Sequence, residues 1–164
     1  MPIENKYVDS LVVAGKKTGP SFAGAGEREL TMIATFEVAA ADDDGSVYRV
    51  FKDVPSSLIP TEISIACDAI TGGTDYELGL YRTNLGAVIS KGVFMTGQTL
   101  ATALTRATGH QLGLAAVDIA NVKSTLAQLS AQTTPDIAYD IAVTADTVGT
   151  AAGTVTVIAK FVQG

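Results

Sequence analysis

His110 is the only imidazole in this chain and Cys67 the only thiol, so both bear directly on whether the chain can do covalent chemistry. A hydrolytic centre needs a nucleophile, a base and an orienting acid within mutual reach. His110 stands in Thr108-Gly109-His110-Gln111-Leu112-Gly113, among glycines and polar residues. That setting reads as an exposed loop histidine rather than a base. Cys67 falls on the apolar side of an alternating segment. A buried thiol is inert, because a reactive one needs an electropositive, partly open setting. The chain also has no Cys/His set of the kind that holds structural zinc.

The acidic and glycine-rich motifs are weaker still as chemistry. Asp42-Asp43-Asp44-Gly45 offers oxygen ligands but lacks the spaced donors of a calcium-binding loop. It reads as a solvated hairpin tip. Asp68, Asp75 and Glu77 fall on strand-like segments, and their proximity depends on strand pairing. Paired carboxylates for glycoside hydrolysis would need a fixed separation in a cleft. Gly15-Lys16-Lys17-Thr18 lacks the upstream glycine of a phosphate-binding loop. Gly24-Ala25-Gly26 lacks the third glycine of a dinucleotide fingerprint, and Arg28-Glu29 lead into a strand rather than a helix. The expectation is a non-enzymatic protein with no cofactor and no metal.

Composition agrees. With 164 residues the chain makes one domain with a real core. A net charge of −6, with 11 scattered Lys and Arg, argues against nonspecific binding to nucleic acid or anionic membrane. The polar start MPIENKYVDS carries no signal-peptide pattern, and no apolar run approaches a membrane span. Small, β-branched and turn-forming residues dominate, as suits tightly paired sheets.

The elements follow from periodicity. Residues 6–14 read as a first strand, and 15–29 as a long loop or extended arm. Leu30–Ala40 alternates, with Leu30, Met32, Ala34, Phe36 and Val38 on one face; Asp-Gly then predicts a hairpin into Ser46–Phe51. Pro55 and Pro60 bracket a loop before a strand over Glu62–Ala69. Thr74–Met95 is two strands joined at Asn84-Leu85-Gly86, with Tyr76, Leu78 and Leu80 inward and Asp75, Glu77, Gly79 and Tyr81 on the wet face. Residues 97–114 have no clear period. Ile119, Val122, Leu126 and Leu129 recur at helical spacing, which predicts one principal α-helix near 118–130, capped by Asp118. Ile137, Tyr139, Ile141 and Val143 alternate next, and the last strand is Thr154–Val162.

The predicted class is mainly β: an antiparallel β-sandwich, jelly-roll-like, with that one helix. An immunoglobulin-type sandwich is the rival, weakened by the inserted helix and the missing Cys–Trp–Cys pattern. The division is residues 1–29 as an N-terminal strand and extended arm, and 30–164 as the sandwich. The predicted core is Ile63, Ile65, Tyr76, Leu78, Leu80, Ile141, Val143, Val155, Val157 and Phe161.

Three segments carry a resemblance: DYELGLYRTNLGAVISKGVF (75–94), LGLAAVDIANVKSTLAQL (112–129) and YDIAVTADTVGTAAGTVTVIAKFV (139–162). Together they resemble the decoration, or cement, proteins of tailed-bacteriophage heads, over roughly the C-terminal half of the chain. The resemblance implies a β-sandwich on the outside of an assembled capsid. Its partner would be the major capsid protein, bridged and stabilised by a homo-oligomer of this chain, with neither nucleic acid nor membrane bound. It transfers no active-site residues. The rival function is a carbohydrate- or receptor-binding module of a head fibre or tail, disfavoured by 6% aromatic content and no tryptophan. Docking to the capsid is expected from the glycine-rich arm, with Phe22 as apolar anchor and Lys16, Lys17 and Arg28 supplying positive charge.

Overall fold

The computed structural model describes residues 3–8, 10–14, 29–105, 111–112 and 123–163. In chain order the strands are β1 (Asn5–Tyr7), β2 (Ser10–Ala14), β3 (Leu30–Val38), β4 (Ser46–Pro55), β5 (Leu58–Cys67), β6 (Thr74–Tyr81), β7 (Val88–Gln98), β8 (Gln111–Leu112), β9 (Ala138–Thr147) and β10 (Gly153–Gln163). The helix α1 (Leu126–Leu129) lies between β8 and β9. They form two five-stranded sheets, ordered β1-β4-β9-β6-β7 and β2-β3-β10-β5-β8.

The pairing has a simple generator. β3 pairs antiparallel with β10, β4 with β9, β5 with β8 and β6 with β7. That is one long hairpin whose tip is the β6–β7 turn. Rolling it up sets successive rungs in alternate sheets and brings β6 against β9 and β5 against β10. Two sheets wound in this way are a jelly roll, as the alternation predicts. β1 then adds to β4 in parallel, and β2 to β3 antiparallel.

The interior is filled by the alternate residues that face the other sheet. All ten predicted core residues are buried, joined by Met32, Phe36, Tyr48, Phe51, Phe94 and Tyr139. Tyr48 and Phe36 stack across the sandwich with ring centroids 4.8 Å apart. Tyr76 donates its hydroxyl to the Val148 carbonyl at 2.8 Å, which satisfies a polar group the core would otherwise strand.

Four expectations need correction. First, the predicted strand over 6–14 is two strands, because β1 joins one sheet and β2 the other. Second, the Asp-Gly turn crosses between the sheets instead of closing a hairpin, since β3 and β4 lie in different sheets. The reason is in its carboxylates. Asp42 is buried and accepts from the Ala39 amide and the Tyr48 hydroxyl, while Asp44 accepts from the Val148 amide at 2.9 Å. These bonds draw Asp42 inward and tie Asp44 to the neighbouring loop, so of the three carboxylates only that of Asp44 belongs to an exposed residue. Third, Pro60 is in β5, not in a loop; it pairs where the β5–β10 register slips, a place that tolerates a missing N–H. Fourth, within the described residues the predicted helix is a single turn, α1. Thr125 caps it through a reciprocal box with Gln128, and Lys123–Thr125 are not helical. Residues 118–122, with the predicted Asp118 cap, lie outside the described residues. No helix among the described residues is long and apolar enough to cross a membrane.

The wet face predicted for β6 is mostly covered. Gly79 and Tyr81 are buried, and a Cβ at Gly79 would collide with the backbone carbonyls of Ser90 and Lys91. Glycine there lets β7 cross close over its neighbour, through register shifts on both sides of the crossing.

Leu78 is fully buried. Leu78→Ala is expected to cost about 2–5 kcal/mol by urea unfolding, with the unfolding slope unchanged. Ile137→Ala, at a site 91% exposed, is expected to change stability by under about 0.5 kcal/mol.

Candidate functional site

Of the residues singled out for chemistry or docking, Lys16, Lys17, Phe22, Arg28 and His110 lie outside the described residues. Ala14 pairs with Leu30, so the two ends of the intervening segment are neighbours at the β2–β3 margin. Cys67 is buried on β5, its thiol 3.8 Å from the Thr102 carbonyl, and burial pushes its pKa up. It borders a groove of about 380 Å³ but has no cationic neighbour among its perturbing groups. That is the setting of a packing thiol.

The acidic residues separate. Asp68 accepts from the Thr154 amide at 3.3 Å. Asp75 and Glu77 instead meet Asp146, with carboxylate oxygens within 4.8 Å of one another. Such a trio could ligate a cation, but Lys91 already stands in it. Its ammonium hydrogen-bonds Asp146 and lies 3.4 Å from Glu77 Oε2. That Glu77 oxygen is buried and makes no directional hydrogen bond. The ion pair still holds there, because Coulomb attraction depends on distance more than on angle. The hydrogen bond to Asp146 raises the Lys91 pKa, so the lysine serves as the cluster's own counter-charge.

The most organised polar site was not anticipated. Tyr48 faces the interior, and Arg49, next along β4, faces out of the sandwich. There it pairs with Asp140 of β9 at 3.0 Å, both side chains fully buried. Arg49 also donates to Asn5 Oδ1 at 3.0 Å, the Arg82 carbonyl at 2.7 Å and the Gly86 carbonyl at 2.6 Å. Its guanidinium lies over the Tyr81 ring, 5.0 Å from the centroid. Asp140 accepts from the Tyr7 hydroxyl at 2.8 Å and the Asp53 amide at 3.0 Å. Desolvation, then the bond to Asp140, holds the Tyr7 hydroxyl above its ordinary pKa, so it stays protonated. Tyr7 in turn accepts from the Leu85 amide at 3.2 Å.

This network lashes the β6–β7 turn down on the sheet. Two consecutive non-glycine residues of that turn are left-handed, Asn84 and Leu85, each at φ 57°. Asparagine tolerates that region; leucine does so at a cost. Leu85 is nevertheless 47% exposed and Val88, just beyond the turn, 52%. Beside the turn runs an open groove of about 770 Å³, bordered by Asp53, Arg82, Thr83, Gly86 and residues 135–138. Ile137 projects from its rim, 91% exposed. Arg82 and Asp136 face each other there at 3.8 Å. The braced turn thus presents an apolar knob, a groove and both signs of charge side by side.

The sequence held a signal for the network. Arg49 and Asp140 are lone charges within the apolar runs SVYRVF and YDIAV. An unpaired charge is too costly to bury, so two such residues in a β core call for each other.

The fold defines the chain as a jelly-roll β-sandwich. No protein-family model and no curated protein matches its sequence. Among solved structures, a chain of the cyanophage Pam1 capsid asymmetric unit is similar, with a TM-score of 0.53 and 13% identity over 89% of this chain and 92% of that one. The likeness therefore covers most of the chain and is one of fold.

Arg49→Ala would leave Asp140 buried without its cation, and is expected to cost about 3–5 kcal/mol. In the cycle with Asp140→Ala, the double variant should be less destabilised than the sum of the singles, by about 0.5–3 kcal/mol. Thermal and urea unfolding of the four proteins measure this.

Proposed function

We propose that the chain is a structural component of a bacteriophage virion, a decoration protein that binds the capsid exterior and stabilises it by bridging major capsid subunits. The observation that carries this reading is the whole-domain likeness to a chain of a phage capsid asymmetric unit. The resemblance of residues 75–94, 112–129 and 139–162 to head-decoration proteins also supports it. The site chemistry supports a non-catalytic reading: Cys67 is buried with a raised pKa, and Lys91 is held in ion pairs. Residues 15–29, with Lys16, Lys17, Phe22 and Arg28, supply a docking element whose two ends meet at the Ala14–Leu30 pair.

The decisive experiment is binding of the purified protein to heads stripped of their accessory proteins, with copy number per particle read by quantitative mass spectrometry. The expected result is saturable binding at hundreds of copies and a raised temperature of head disruption. A handful of copies per particle, or none, would reject decoration. Replacing residues 16–28 by a short glycine turn should weaken binding while leaving the sandwich folded. The double variant Cys67→Ser/His110→Ala should bind heads as the wild type does.

A further inference from the structure

We propose that the braced turn and its groove form a self-association surface, whose partner is a second copy of this chain across a local two-fold axis. The inference concerns the isolated protein and does not rest on capsid binding.

An isologous contact requires one patch to carry both halves of every interaction. This patch does. Ile137 is a knob that water almost fully surrounds, and it stands on the rim of a groove of about 770 Å³. In a two-fold arrangement the Ile137 of each copy enters the groove of the other. Arg82 and Asp136 sit on the same rim with side chains 53% and 37% exposed, and at 3.8 Å their own pairing is loose. Across a two-fold axis each exchanges its neighbour for the equivalent residue of the mate, giving two complementary ion pairs. Leu85 and Val88 extend the apolar area along the turn.

The turn is also rigid, and this separates it from an ordinary wet loop. Arg49 holds the Arg82 and Gly86 carbonyls, and Tyr7 holds the Leu85 amide. A strained leucine persists only where its surroundings over-determine it, and such strain marks functional positions. Here the strain keeps an apolar side chain in water, which favours its removal by a partner. A preorganised surface loses little entropy on binding. Stable interfaces bury on the order of 800 Å² per partner; a contact centred on one turn and one groove belongs with the weaker, transient class, for which micromolar association is expected.

The test is sedimentation equilibrium of the full chain over a concentration series. The wild type should show a monomer–dimer equilibrium with a dissociation constant of about 1–100 micromolar. Ile137→Asp should weaken it at least about tenfold, whereas Ile3→Asp, at an exposed apolar site on the β1 margin, should leave it unchanged. Arg82→Glu and Asp136→Arg should each weaken self-association. An equimolar mixture of the two variants should form a heterodimer, because each cross-pair is then of opposite sign. Circular dichroism of every variant checks folding; Ile3, Arg82 and Ile137 are exposed and Asp136 is half-buried. A wild type that is monomeric at about 500 micromolar overturns the proposal, as does association that Ile137→Asp leaves intact. If the wild type is monomeric and Ile137→Asp abolishes binding to heads, the occupant is the capsid and not a second copy.

Discussion

Arg49 and Asp140 are held out of water, and the arrangement of the first sheet depends on meeting that cost. Transferring an ion from water to a protein interior costs several kcal/mol even after relaxation. The pair offsets this only by near-complete hydrogen bonding. Arg49 reaches Asn5, Arg82, Asp140 and Gly86, and Asp140 reaches Tyr7 and Asp53 as well. Those partners come from β1, β4, β9 and the β6–β7 turn. The pair therefore fixes where the N-terminal strand lies and how the hairpin tip folds. Its contribution is to specificity of position more than to net stability, since an apolar replacement of a buried pair is often as stable.

The rolled hairpin imposes a second constraint. β9 sits between β4 and β6, and β10 between β3 and β5. The last strands of the chain are thus the central strands of both sheets. Each rung joins segments far apart in sequence, so loop-closure entropy is lost before the pairing rewards it, and folding of such topologies is slow. β9 pairs on both sides and is buried on both faces, including Asp140, Ala142 and Thr144. That is why a charge could enter the centre of the sheet at all: every position on β9 meets protein, so Asp140 had to find Arg49.

The inward faces were legible in the sequence because alternation reports burial directly. Leu78, Ile141, Val157 and Phe161 each stand where period two places them. Strand pairing was less legible. Asp42-Asp43-Asp44-Gly45 announces a reversal, but whether the next strand pairs with its predecessor or crosses to the other sheet depends on the Asp42–Tyr48 bond, a contact the turn motif does not encode. Ile137 shows another gap: it continues the alternation of Tyr139 and Ile141 yet lies beyond the strand end, in water. Periodicity cannot say where a strand stops. The two lone charges hinted at the Arg49 site, but its burial was hidden for a related reason. Asp140 alternates correctly for a wet face, and only the β1 strand and the folded-over turn make that face dry.

The turn joins these constraints. A left-handed leucine is intrinsically unfavourable and an exposed one gains nothing from burial, so neither stability nor solubility explains Leu85. The buried pair beneath it removes the freedom to relax, because any other turn geometry would take the Arg82 or Gly86 carbonyl away from Arg49. Strain, exposure and rigidity thus have one source. The conformation that satisfies a buried guanidinium is also the conformation that holds an apolar side chain out to solvent. For the proposed docking role that coupling matters, since the contact geometry is set by the core before any partner arrives.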